Sequence, residues 1–199
     1  MVVKASDQWE TPTWLFDELN AEFNFDIDLC ADQGNKKCDL WSPDYLNNRM
    51  INSREYPKLH HMHFDCAATM FKRKKAAFMN PPYSNPRPFV EKAFKDAKEN
   101  KITIVCLLKC DPSTRTWAVF WDYGMGCFRC DVNPKGKQCA RKYRGPKPGV
   151  EVRFLPKRVK YDPPPALKAE YELNKRLGCK LPGPTFPSCV VIFRGHEMS

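Results

Sequence analysis

Asn80-Pro81-Pro82-Tyr83 is the stretch of this sequence best suited to chemistry. It follows an apolar run, Ala76-Ala77-Phe78-Met79, that predicts a short buried strand, and it precedes a helical pattern. The Asn side-chain oxygen and a backbone carbonyl of the turn can both accept hydrogen bonds from one planar NH2 group. The two prolines stiffen the turn and remove competing N–H donors. The Tyr ring offers a face on which a planar base or amide can stack. Together these residues suit alkylation of a weakly nucleophilic planar amine. The same tetrapeptide also reads as nothing more than a rigid turn after a strand, so the decision falls to its surroundings.

Group transfer needs a second site beside the first, where the donor is held. Phe25-Asp26-Ile27-Asp28-Leu29-Cys30 alternates like a strand and runs into the turn-rich Ala31-Asp32-Gln33-Gly34-Asn35. In an open α/β sheet, ligands bind beyond the carboxyl ends of strands. Small Cys30 and Ala31 permit close approach there, and Asp28 suits a ligand carrying an ammonium group or caps the turn that follows it. No Gly-x-Gly-x-x-Gly is present, which argues against a dinucleotide or Walker-type phosphate loop.

The elements that must hold these two turns are legible in outline. Thr11-Pro12 reads as an N-cap followed by Pro at the first helical position, with Trp14, Leu15, Glu18, Leu19 and Phe23 at helical spacing behind it. Phe89, Ala93, Phe94 and Ala97 mark one face of a helix ending near Asn100. Ile102 to Leu108 reads as a strand rich in β-branched residues, and Thr114 to Trp121 reads as helix. Residues 35 to 63 look polar and irregular, anchored by Trp41, Tyr45 and Tyr56. Val150 to Val159 reads as a strand broken at Pro156, Asp162-Pro163-Pro164-Pro165 as a stiff linker, Ala166 to Leu177 as helix, and Ser188 to Phe193 as a last strand. Strands alternating with helices predict an α/β sheet with helices on its faces.

At 199 residues and 42% hydrophobic content the chain is expected to form a single domain, 1–199, with a real core. Apolar runs stay short of a membrane span and the first residues lack a signal-peptide core, which predicts a cytoplasmic protein. The net charge is +10, and its placement is uneven. Between Pro134 and Lys160, ten cations (Lys135, Lys137, Arg141, Lys142, Arg144, Lys147, Arg153, Lys157, Arg158 and Lys160) face one acid, Glu151, for a local +9. A second cluster, Lys72-Arg73-Lys74-Lys75, sits just before the Asn-Pro-Pro-Tyr strand. Basic runs on both sides of a candidate site favour a nucleic-acid partner over a merely solvated face.

Ten cysteines in a cytoplasmic chain suggest thiols, metal ligands or core packing rather than disulfides. Cys30, Cys106 and Cys189 lie in apolar runs and are expected to pack as small hydrophobes. Cys127, Cys130 and Cys139 fall within an irregular Cys/Lys-rich segment, 122–149, with C-x2-C-x8-C spacing that makes them zinc candidates. Structural zinc normally takes four ligands and no fourth follows nearby, so free thiols are the favoured reading. His60, His61 and His63 form the only histidine cluster and are read as a polar loop.

Trp9-Glu10-Thr11-Pro12, Phe25-Asp26-Ile27-Asp28-Leu29-Cys30-Ala31, Phe78-Met79-Asn80-Pro81-Pro82-Tyr83-Ser84 and Phe186-Pro187-Ser188-Cys189-Val190-Val191-Ile192-Phe193 occur in that order. This arrangement resembles the phage-type (Dam-like) DNA N6-adenine methyltransferases over residues 9 to 121 and 150 to 194. The resemblance implies a Rossmann-like S-adenosylmethionine-dependent methyltransferase fold, a single sheet flanked by helices with an irregular basic insertion. It implies methyl transfer from S-adenosylmethionine to the exocyclic N6 amine of adenine in DNA, with Asn80, Pro81, Pro82 and Tyr83 at the acceptor. Trp9, Thr11 and Pro12 should lie near the cofactor, Asp28, Cys30 and Ala31 at its amino-acid end, and Asp65 near its adenine. Lys72, Arg73, Lys74, Lys75, Arg141, Lys142, Arg144 and Arg158 are the expected DNA contacts. The 122–149 segment departs from the family pattern and is the candidate for target recognition. Two other readings stay open: the same turn acting on RNA or a protein glutamine, and a nucleic-acid-binding protein without catalysis.

Overall fold

The structure is a computed structural model that describes residues 7–47, 49–52, 76–122, 145–164, 167–180 and 183–198. Its centre is one mixed sheet of seven strands: β1 (Phe25–Asp28), β2 (Leu40–Asp44), β3 (Arg49–Asn52), β4 (Ala76–Met79), β5 (Thr103–Lys109), β8 (Val150–Phe154) and β9 (Ser188–Arg194). They lie in the order β3-β2-β1-β4-β5-β9-β8. Strands β2, β1, β4 and β5 run parallel, while β3 and β9 run antiparallel to their neighbours. Because β8 is antiparallel to β9 and β9 to β5, β8 ends at the same rim of the sheet as β4 and β5.

Side chains alternate across the sheet and build two cores. On one face Ile27, Ala77, Met79, Ile104, Cys106, Val191 and Phe193 pack under α2 (Arg87–Asn100), which presents Val90, Ala93 and Ala97 one helical turn apart. On the other face Phe25, Phe78, Val105, Leu107, Val190 and Ile192 pack under α1 (Thr13–Phe23) through Leu15, Phe16 and Leu19. The third helix, α3 (Lys168–Arg176), buries no residue fully, though Tyr171 packs at the edge of the second core. Gly195 is required where β9 leaves the sheet: a Cβ there would lie 1.8 Å from the Ala97 carbonyl oxygen of α2. Among the described residues, no helix is long and apolar enough to cross a membrane.

Several local expectations are corrected. Pro12, not Thr11, is the N-cap of α1, and its carbonyl receives the N–H groups of Leu15 and Phe16 at 3.1 Å. Trp14 points to solvent, because the buried stripe is Leu15, Phe16 and Leu19. Residues 40–44 and 49–52 are strands rather than irregular chain. Thr114 to Trp121 forms no α-helix: it contains a 3-10 turn, Trp117–Val119, and Trp121 begins a short strand. There Trp117 packs against both Phe120 and Trp121 at 5.2 and 5.5 Å, a spacing the tighter turn satisfies. The strand expected to reach Val159 ends at Phe154, before Pro156. Cys106 and Cys189 are buried as expected, and Cys30 is half-buried.

The two ends of the Cys/Lys-rich segment are joined to each other. β6 (Trp121–Asp122) pairs with β7 (Gly145–Pro146) in a separate two-stranded ladder. Cys127, Cys130, Cys139, Arg141, Lys142 and Arg144 lie outside the described residues, as do His60, His61, His63, Asp65 and Lys72 to Lys75.

Candidate active site

Strands β1 and β4 are parallel neighbours, with Asp28 in register with Phe78. The ladder continues one residue past β1, where the Leu29 N–H donates to the Phe78 carbonyl at 2.9 Å. The two turns singled out in the sequence therefore leave the sheet side by side. Connections from β1 and β4 diverge here towards opposite ends of the sheet, so this is its topological switch point.

A cleft opens between these strand ends and the segment before α1. It is lined by Asp7, Trp9, Glu10, Thr11, Asp28, Cys30, Asn35, Lys37, Phe78 and Asn80. Trp9 is fixed edge-on to Tyr171 of α3, with ring centroids 6.3 Å apart. Of the residues expected around a cofactor, Trp9, Thr11, Asp28 and Cys30 reach the cleft. Pro12 is buried as the cap of α1. Ala31 is buried behind the turn, its N–H donating to the Ser42 carbonyl at 3.1 Å.

The cleft is acidic although the chain is basic. Asp7, Glu10 and Asp28 line it against Lys37. Asp28 both caps its loop and faces the cleft: Oδ2 accepts the Lys37 N–H at 3.1 Å and Oδ1 the Cys30 N–H at 3.4 Å. Burial raises its pKa to about 6, against the lowering effect of those two N–H groups. Burial raises Glu10 as well, with Lys37 pulling the other way. Burial holds the Cys30 thiol well above its ordinary value, so it is a neutral, small wall rather than a nucleophile.

Asn80 is the first residue beyond β4. Its Oδ1 is buried and has no hydrogen-bond partner among the described residues. A buried carbonyl-type oxygen left unpaired costs about 1–3 kcal/mol, so such atoms are rare and call for a ligand or a water. Pro81 is buried behind it, and Pro82 and Tyr83 are half-buried. The turn is closed by the Asn85 N–H donating to the Pro82 carbonyl at 3.3 Å, and α2 starts at Arg87.

Tyr83 is held at its hydroxyl. That oxygen lies 3.3 Å from the Leu107 carbonyl and 2.7 Å from the Tyr161 hydroxyl, while its ring meets Phe186 edge to face at 4.9 Å. Burial keeps the Tyr83 phenol protonated, with a pKa well above the ordinary value. Tyr161 precedes Asp162, whose N–H and carbonyl pair with Glu10 at 3.0 Å in each direction. The segment read as a linker thus ties one wall of the cleft to Tyr83. Arg158, the one expected DNA contact that is described, is exposed just before this segment, as are Lys157 and Lys160.

Asp7, Glu10, Asn35 and Lys37 are cleft residues that sequence reasoning does not single out. Glu10 has a usable signal, since it sits inside Trp9-Glu10-Thr11-Pro12. Among the described residues no group of His, Cys, Asp and Glu could hold a metal ion.

A sequence profile described as DNA N-6-adenine-methyltransferase (Dam) matches residues 1–123. The chain is 32% identical over 111 residues to the DNA N-6-adenine-methyltransferase of Haemophilus phage HP1, a stretch covering 55% of this chain and 53% of that protein. It is 28% identical over 109 residues to the DNA N-6-adenine-methyltransferase of Escherichia phage T1, covering 54% of this chain and 38% of that one. The chain thus matches about half or less of the length of these relatives. No solved structure matches. The profile runs through more than half of the chain, including the cleft and the Asn80–Tyr83 turn, and the chain belongs to the DNA N-6-adenine-methyltransferase (Dam) family.

Proposed function

We propose that this protein transfers a methyl group from S-adenosylmethionine to the N6 amine of adenine in DNA. The observation that carries the reading is the buried, unpartnered Oδ1 of Asn80 at the rim of an acidic cleft. An acceptor oxygen in that state fits an incoming NH2 group. Three carboxylates facing one lysine fit a small cationic molecule and do not fit DNA phosphate. The sheet order, with the cleft at the β1/β4 switch point, supports a Rossmann-like S-adenosylmethionine-dependent methyltransferase fold.

When bound, S-adenosylmethionine supplies a methyl group made electrophilic by an adjacent sulfonium. Asp28 and Glu10 attract its positive charges, and the small Cys30 leaves room for its amino-acid end. Asn80 Oδ1 and the Pro81 carbonyl accept the two N6 hydrogens. They draw the nitrogen lone pair out of the adenine ring as the nitrogen becomes tetrahedral, which is stabilisation aimed where charge develops. With S-adenosylmethionine bound, the N6–carbon bond would form as its carbon–sulfur bond breaks, the sulfur leaving as a thioether. Asn80 is too weak a base to keep the proton, which passes from the methylated amine to water. No thiol takes part, in keeping with the raised pKa of Cys30.

An adenine in duplex DNA must be flipped out at a cost of a few kcal/mol. Stacking on Tyr83, worth about 1–3 kcal/mol, offsets part of that. Exposed Lys157, Arg158 and Lys160 lie on the chain between β8 and Tyr161, where they can neutralise phosphates beside the flipped base.

The test is incubation with labelled S-adenosylmethionine and genomic DNA, followed by nucleoside analysis. Label in N6-methyladenine is expected. Label in RNA alone, in another nucleoside, or nowhere overturns the reading.

A further inference from the structure

We infer that Tyr161 is a positioning residue for the reaction, fixing the ring of Tyr83 against which the acceptor base stacks. This rests on the functional reading above. The residue lies outside the span that the family profile matches.

Three hydroxyls and a carbonyl form one line from β9 to β5. Ser188 Oγ is 3.0 Å from the Tyr161 oxygen, which is 2.7 Å from the Tyr83 oxygen, which is 3.3 Å from the Leu107 carbonyl. The carbonyl sets the polarity, because it can only accept. Tyr83 spends its single proton on Leu107 and accepts from Tyr161, and Tyr161 accepts from Ser188. Tyr161 is therefore the donor that completes the coordination of the Tyr83 oxygen. Without it, a buried phenol oxygen loses a partner and the ring gains freedom to tilt.

Tyr161 is itself held on several sides. It is 3% exposed, and its neighbours alternate: Arg158 and Lys160 face solvent, while Val159 is buried in the core under α1. The next residue, Asp162, forms the two-way bridge to Glu10, and Pro163 and Pro164 restrict the chain that follows. One extended strap thus carries exposed cations, the Tyr83 anchor and the bridge to the cleft within five residues, 158–162. Tyr161 acts on the base through Tyr83 and does not line the cleft.

The experiment compares Tyr83→Phe, Tyr161→Phe and the double variant in methyl transfer to DNA, with cofactor affinity and thermal midpoint measured alongside. Tyr161→Phe keeps the ring and removes only the hydroxyl. It is expected to lower kcat about five- to tenfold and to leave cofactor affinity within about twofold. The double variant is expected to be no slower than Tyr83→Phe within about twofold, because the two changes break one link. Losses that multiply overturn the inference, as does a wild-type rate in either single variant. Ser188→Ala, which spares both rings, gives the same comparison if Tyr161→Phe does not fold, and a rate equal to wild type in Ser188→Ala then overturns it. A wild-type protein that transfers no methyl group overturns the functional reading and this inference together, whereas multiplying losses in an active protein overturn this inference alone.

Discussion

Asp7 grips Ser84 with both oxygens of its carboxylate: Oδ1 accepts the Ser84 N–H at 2.8 Å and Oδ2 accepts its hydroxyl at 2.6 Å, across 77 residues of sequence. Ser84 directly follows Tyr83, so the segment before α1 is fastened onto the turn that carries Asn80. Hydrogen bonds to a charged group are worth about 1.5–3 kcal/mol when protected and less when exposed, as this pair is. Asp7→Ala is expected to lower kcat/KM for methyl transfer about tenfold, equal to ~1.4 kcal/mol. Asp7→Asn, which keeps an acceptor for the N–H, should lose less. Equal rates in Asp7→Ala and wild type would mean that the clamp does not reach the chemistry.

Asn80→Ala should separate activity from stability. Methyl transfer is expected to fall at least about 10²-fold, as for removal of other preorganised groups that meet developing charge. Cofactor affinity should stay within about tenfold. Because Oδ1 is an unpaired buried acceptor, its removal should leave the thermal midpoint of the ligand-free protein unchanged or raise it. A clear drop in the midpoint would show that Oδ1 is already hydrogen-bonded in the empty protein.

Asp28 predicts a pH dependence with a definite sign. Its pKa is raised to about 6 in the folded protein, against about 3.9 when unfolded. Between about pH 4 and 6 the folded form therefore binds more protons than the unfolded form. Its contribution to stability falls as pH rises through that window and is level above it. At 1.36 kcal/mol per pKa unit the penalty at neutral pH is at most about 3 kcal/mol. Asp28→Asn should remove this slope in denaturant titrations and stabilise the empty protein near pH 7. For wild type, S-adenosylmethionine affinity should rise from pH 5 to 7 as Asp28 ionises. Calorimetry that finds wild type and Asp28→Asn with the same pH profile would remove Asp28 from the cofactor site.

Replacing Lys157, Arg158 and Lys160 together should weaken DNA binding without altering cofactor affinity. Each phosphate that the variant no longer neutralises should reduce the slope of log affinity against log salt by about 0.9. A salt slope identical to wild type would locate the DNA path elsewhere on the molecule.

The two halves of the site are legible in the sequence for different reasons. β4 and β9 are apolar at nearly every position because both of their faces are covered, and such runs stand out in sequence. The Asn-Pro-Pro-Tyr turn is written in side chains whose chemistry is specific. β2 escapes notice because Leu40-Trp41-Ser42-Pro43-Asp44 contains a proline and little alternation, and its register shifts between Trp41 and Asp44. Its pairing with β1 on one side and β3 on the other makes it a strand. Lys37 escapes for another reason: it supports Asp28 through its backbone N–H, which no side-chain pattern records. Asp7 and Tyr161 are invisible because their partners lie 77 and 78 residues away. Distant polar pairs of this kind leave no periodicity and no local composition to read.

The short ladder of Trp121–Asp122 with Gly145–Pro146 brings the chain back to where it departed. The chain on the two sides of residues 123–144 is thereby held together as a fixed doorway. Closing a loop costs only about 0.6 kcal/mol more for each doubling of its length, so the doorway can accept excursions of very different size. A chain in which residues 123–144 are exchanged for the corresponding stretch of a relative, or for a tight turn, is expected to keep its cooperative melt. If that holds, lineages could trade the contents of the doorway while inheriting the Asn80 rim unchanged.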